Sequence, residues 1–201
     1  MVRISVPVCG GVEAGRSFRF RVQPLGVLLA GSRTGELPEG LCRQVVRRLA
    51  GEGFAFFVGC AAGVDASFRL ALAQENLAGK SFVACASRER LRRSCGLFAS
   101  VVVPRGLSTA AAHHRRTVWM VKRCCMAILF PEGRDRSWGP GSRLVLRAAL
   151  EQLKPVFVAS GTEPRAPAPA VLLPGSRYGL VDGWWVVPHP IHADGPCDED
   201  Y

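Results

Sequence analysis

The chain has 201 residues, 48% of them hydrophobic, and carries 26 Lys and Arg against 16 Asp and Glu, a net charge of +10. That length and apolar content are enough for one main domain with a substantial core. The longest apolar runs stop short of the roughly 18 residues a membrane helix needs, and the N-terminus lacks a signal-peptide core, so a soluble, cytoplasmic protein with no membrane partner is expected.

Eight cysteines stand at positions 9, 42, 60, 85, 95, 124, 125 and 197, mostly inside apolar runs and never as C-x-x-C. They read as buried free thiols of a reducing compartment rather than as a disulfide framework. His113 and His114 are adjacent, and neighbouring residues of a helix do not share a face, so no metal site is expected, and no cofactor. The basic excess favours polyanionic partners, either nucleotides or nucleic acid.

Residues 1–25 read as an N-terminal extension with short strands near 4–8 and 17–22, the second alternating polar and apolar residues. From 26 onward, short apolar runs alternate with helical patterns. Strands are expected over 26–30, 54–58, 82–86, 100–103, 126–130 and 155–159, with helices over 38–50, 63–74, 109–123 and 142–152. A short basic helix or loop fits 88–96. Alternation of this kind points to a mostly parallel α/β sheet. From 161 the composition changes to a stiff Pro-rich linker, then to a small β appendage whose arms, 170–173 and 183–188, turn through Pro174-Gly175-Ser176, and finally to an acidic tail. Trp184 and Trp185 point to opposite sides of that strand, so one can pack and the other face outward.

Three strand-to-helix turns carry small residues: Gly31-Ser32-Arg33, Val58-Gly59-Cys60-Ala61-Ala62-Gly63-Val64-Asp65, and Gly141-Ser142-Arg143. In an open parallel sheet such turns lie at the carboxyl edge of the strands, where ligands bind. Glycines keep a turn free of Cβ atoms, and a helix start beyond it directs unpaired N–H groups and a positive dipole end at an anion. The plainer reading is also open: Asp65 is a helix-start residue and Arg33 a solvated loop charge.

These blocks, with His113-His114-Arg115-Arg116 and Lys154-Pro155-Val156-Phe157-Val158, resemble the SLOG superfamily. This is the Rossmann-like group that includes the DNA-processing protein DprA/Smf and the Lonely Guy (LOG) proteins, often labelled lysine decarboxylase-like. The resemblance spans roughly residues 26 to 159 and is most specific over Val58 to Asp65. It implies a Rossmann-like, mostly parallel sheet flanked by helices over 26–160, with the β appendage following in 161–201. It also implies a nucleotide, a nucleotide-derived small molecule or single-stranded DNA as partner.

The phosphate-binding candidates under that resemblance are Gly31, Ser32, Arg33, Gly59, Cys60, Ala61, Gly63, Asp65, Arg115, Arg116, Gly141 and Ser142. Related folds pair through helices, which allows a homodimer, although no stripe in this sequence establishes one. One departure bears on catalysis. The LOG signature Pro-Gly-Gly-x-Gly-Thr-x-x-Glu is matched only by Pro131-Glu132-Gly133, an insertion, and Gly141-Ser142-Arg143-Leu144-Val145. Its glutamate slot falls on Val145, which can neither activate water nor stabilise an oxocarbenium-like sugar. The non-enzyme reading is therefore preferred. Its rivals are a nucleotide N-glycosidic hydrolase using Arg115 or Arg116 on the phosphate with a displaced carboxylate, Glu132 or Asp135, and a DprA-like single-stranded DNA-binding module.

Overall fold

A computed structural model describes residues 25–101, 106–132, 137–167 and 169–189, so the expected strands near 4–8 and 17–22 and the acidic tail lie outside the described residues. The apolar runs form β1 (Gly26–Gly31), β2 (Ala55–Gly59), β3 (Ser81–Cys85), β4 (Phe98–Val101), β5 (Met126–Phe130) and β6 (Val156–Val158). Between them lie α1 (Glu39–Gly51), α2 (Val64–Gln74), α3 (Thr109–Arg123) and α4 (Pro140–Leu150), with a 3-10 turn over the basic stretch Glu89–Arg93. β7 (Ala170–Arg177) and β8 (Val181–Pro188) follow.

The strands form one eight-stranded sheet in the order β4-β3-β2-β1-β5-β6-β8-β7. The first six are parallel, while β8 runs antiparallel to β6 and β7 antiparallel to β8. Side chains alternate across the sheet. Val27, Leu29, Phe56, Val58 and Val83 pack with Val45, Leu49, Phe68 and Leu72 of α1 and α2 on one face. Leu28, Phe57, Ala127 and Leu129 pack with Met120, Val121, Leu146 and Ala149 of α3 and α4 on the other. With both faces covered, the continuous apolar runs of these strands are explained.

Three helices end in the same device. The N–H groups of Phe54, Leu77 and Lys154 bond to the carbonyls of Leu49, Leu72 and Ala149, and those of Gly53, Asn76 and Leu153 bond to Ala50, Ala73 and Leu150. This is the Schellman pattern, with Gly53, Asn76 and Leu153 at positive φ. At the other end, α4 starts two residues before the expected Ser142, because Pro140 takes the first helical position where no N–H is needed. β4 begins at Phe98 rather than at 100, since Phe98 pairs with Phe82 across the ladder and stacks on its ring at 5.7 Å.

The expected turn at Pro174-Gly175-Ser176 is corrected. Those residues lie inside β7, opposite Trp184, Gly183 and Asp182, and the chain reverses at Tyr178-Gly179. Both central residues have positive φ, and Leu180 N–H donates to the Arg177 carbonyl, as a tight hairpin turn of matching twist requires. Pro174 is tolerated because β7 is the edge strand. The hairpin continues the main sheet: Trp185 pairs with Phe157 of β6 and meets its ring edge-on at 5.3 Å, and Trp184 is half-buried as well.

Candidate ligand-binding site

The order of strands reverses between β1 and β5. β2, β3 and β4 follow on one side of that junction and β6 on the other, so the loops leaving β1 and β5 diverge. Such a switch point opens a crevice at the carboxyl ends of the strands. A cavity of about 920 Å³ lies there. Its walls bring together Gly31 at the end of β1 with Ser32 and Arg33 after it, Ala61 and Asp65 after β2, and Gly141 and Ser142 at the start of α4. One face of α3 closes it with Thr109, His113, Arg116, Thr117 and Met120, and Arg90 and Arg147 add two cations.

The β1 loop is built by its own backbone. Ser32 N–H donates to the Phe130 carbonyl, the Ser32 carbonyl accepts from Val64 N–H, and the Ser32 hydroxyl accepts from the N–H groups of Thr34 and Gly35. Gly63 has φ +66°, and a Cβ there would run into the backbone of Ser32 and Arg33. Its role is therefore to let the two loops touch. Close approach also fixes Gly59, where a Cβ would collide with Asp65 Oδ2 and come within 3.0 Å of Arg116 Nη2.

These contacts revise the roles expected for the second turn. Ala61 N–H is taken by Asp65 Oδ2 at 3.3 Å, and Val64 N–H by Ser32. The carbonyls of Gly59 and Ala61 are held by the buried Arg69 guanidinium at 2.6 and 2.9 Å. Gly59, Cys60 and Gly63 do not line the cavity. This turn is an internally bonded platform; α2 and α4 both start without a side-chain cap, but the Val64 N–H of α2 is already taken by the Ser32 carbonyl, which leaves the start of α4. There Pro140 has no N–H, and the following amides of Gly141 and Ser142 belong to the first turn, which has no intrahelical acceptors.

Arg116 is the buried cation of the site, only 6% exposed. Asp65 Oδ2 lies 4.0 Å from its Nη2, and its Nη1 donates to Cys60 Sγ at 3.2 Å. The Cys85 thiol and Arg116 both favour a thiolate at Cys60, against the cost of burying it. Burial pushes the Asp65 carboxyl upward, while Arg116 and then Arg69 pull it back. Burial, with Arg116 and Arg33 next, lowers the pKa of His113, which keeps its imidazole neutral at physiological pH. Three buried polar atoms of cavity-lining residues have no hydrogen-bond partner among the described residues: Arg116 Nε, Ser142 Oγ and His113 Nδ1. Such groups cost free energy when left unmade, typically about 1–3 kcal/mol each.

Two other expected residues fall elsewhere. Arg115 is exposed and outside the cavity, because one residue along a helix turns the side chain away by about 100°. Glu132 is also outside it: its Oε1 accepts from the Ser160 hydroxyl at 2.6 Å, and its backbone bridges Trp138. Asp135 lies outside the described residues. Val145 does line the cavity, so the slot of the missing glutamate presents an apolar side chain there. Sequence reasoning missed Thr109, His113 and Thr117 as lining residues. Their i, i+4, i+8 spacing, with Arg116 one position before Thr117, was the signal that could have found them.

No family model matches the chain, and no curated protein matches it by sequence. Among solved structures, it is similar to DNA processing protein A (DprA) from Streptococcus pneumoniae, with 20% identity and a TM-score of 0.51 over 69% of this chain and 51% of that one. The chain thus spans about half the length of that protein. It is similar also to TM1055, with 18% identity and a TM-score of 0.50 over 69% of this chain and 75% of that one. DNA processing protein A from Helicobacter pylori, described for its single-stranded DNA binding mode, matches with 20% identity and a TM-score of 0.49 over 71% and 68% of the two chains. The chain therefore has the Rossmann-like α/β fold found in DNA processing protein A and in TM1055, in agreement with the SLOG resemblance of its motifs.

Proposed function

We propose that the chain binds a nucleotide, or the nucleoside-phosphate unit of a nucleotide-derived ligand or single-stranded nucleic acid, in the cavity at the β1/β5 switch point. The observation that carries this reading is the convergence of unpartnered donors on one space. Arg116 Nε and Ser142 Oγ are buried without partners among the described residues, in the cavity that the start of α4 enters, and Arg33, Arg90 and Arg147 line the same space. A phosphate supplies several acceptor oxygens at once, and a guanidinium already oriented by Asp65 and Cys60 loses little freedom on engaging them. The apolar part of the wall, with Met120, Leu144 and Val145, suits a nucleoside better than a bare ion.

Binding without hydrolysis is favoured because, among the described lining residues, Asp65 is the carboxylate, and it is buried and paired with Arg116. The test is calorimetric titration with nucleoside 5′-monophosphates and with the parent nucleosides, while chromatography follows free base. The monophosphate is expected to bind more tightly than its nucleoside, with no base released. Ser142→Ala and Arg116→Met should each weaken it, the latter by about 10- to 100-fold for loss of a charge-assisted contact. Arg115→Ala should leave it unchanged. Equal affinity for nucleoside and nucleotide would remove the phosphate reading, and steady release of base would replace binding with hydrolysis.

A further inference from the structure

A second cavity, of about 760 Å³, adjoins the first and shares Ser137, Pro140, Leu144 and Arg147 with it as a common wall. Its far side is the Pro-rich segment after β6, where Pro164 is buried and Arg165 exposed. Its floor includes Trp138, half-buried and packed on the apolar cluster beneath α4. Among the described residues the charged groups facing it are Arg143, Arg147 and Arg165, against one carboxylate, Glu163.

We infer that this compartment is a subsite for a second nucleoside, so that the preferred ligand carries two nucleosides joined through phosphate. The inference rests on reading the first cavity as a nucleotide site. Three features support it. The two spaces meet at the start of α4, where a phosphate in the first cavity would sit, so a linkage leaving that phosphate passes directly over Pro140 and Leu144. An indole offers a flat apolar surface to a base of any identity, and the surrounding arginines match a polyanionic linker. The prolines of 164–167 hold the far wall extended before the ligand arrives, which limits the ordering cost of binding. An apolar or acidic-tailed small molecule would need only one of the two compartments; a ligand with two nucleosides uses both.

The experiment compares three probes on the full chain at one low salt concentration: adenosine 5′-monophosphate, a phosphodiester-linked diadenosine and a pyrophosphate-linked diadenosine. At least one of the two-nucleoside probes is expected to bind about tenfold more tightly than the monophosphate, the size of one base–aromatic stack. Which linkage gains more separates a nucleic-acid strand from a dinucleotide. Trp138→Ala and, independently, Arg165→Ala should bring the ratio of affinities toward one, and Trp138→Phe should keep most of it. Arg165 is exposed, so its variant tests the compartment without disturbing the core. Monophosphate binding with no gain for either two-nucleoside probe, or a gain that survives Trp138→Ala, overturns the second subsite while leaving the first intact. Failure of the monophosphate to bind overturns the reading of the first cavity instead.

Discussion

Replacing Gly59 by alanine adds one methyl group where the structure has no room for it. The new Cβ would overlap Asp65 Oδ2 and lie 3.0 and 3.1 Å from Nη2 and Cζ of Arg116. The backbone there is not in the left-handed region, so the penalty is steric and not conformational. Asp65 and Arg116 are each more than nine-tenths buried and are paired with each other, so a shift of either disturbs both. Overpacking of this kind costs about 1–3 kcal/mol. The displaced carboxylate also loosens its bond to Ala61 N–H and its pairing with Arg116, a further ~1–3 kcal/mol. Both losses arise from one displacement and are not additive, so a total of about 2–4 kcal/mol is expected. For a chain of this size that lowers the melting temperature by roughly 5–15 °C.

The assay is thermal and urea unfolding followed by far-UV circular dichroism, with Gly141→Ala as the matched control. A Cβ at Gly141 meets nothing within 4 Å, and alanine suits a helix better than glycine by up to about 1 kcal/mol, so the control should be no less stable than the parent. A Gly59→Ala protein within about 0.5 kcal/mol of the parent would refute the steric argument. If that protein were stable yet no longer bound nucleotide, Gly59 would serve the ligand directly and not the buried pair.

The pH dependence of His113 offers a second check. Its pKa in the folded chain is lowered, so the native state binds fewer protons than the unfolded state between the two values. Its stabilising contribution is full above the unfolded-state pKa and declines as pH falls through that value toward the folded one. A bound anion opposes the field of Arg116 and Arg33, so two-dimensional NMR should show the His113 pKa rising when nucleotide is added; an unmoved or falling value would place the anion elsewhere. Leu153→Gly addresses the end of α4: leucine there has φ +54° and is 68% exposed, so glycine should raise stability by about 1 kcal/mol in urea unfolding. A loss of stability would show that the leucine side chain contributes more than the backbone strain costs.

The alternation of strands and helices, the three small-residue turns and the valine in the glutamate slot are all legible in the amino-acid order alone. Each is carried by a contiguous run such as Val27-Leu28-Leu29 or Ala61-Ala62-Gly63, whose period and turn chemistry are local properties. Tertiary structure decided the strand order that opens the cavity between β1 and β5, and the continuation of the sheet into β8 and β7. It also decided that Arg116 and not Arg115 is drawn inward, and that Gly59 and Gly63 make room for Asp65, Arg116 and the Ser32 loop. Contacts of this kind join residues far apart along the chain. They depend on which surfaces are buried together, and no single window of sequence contains that information.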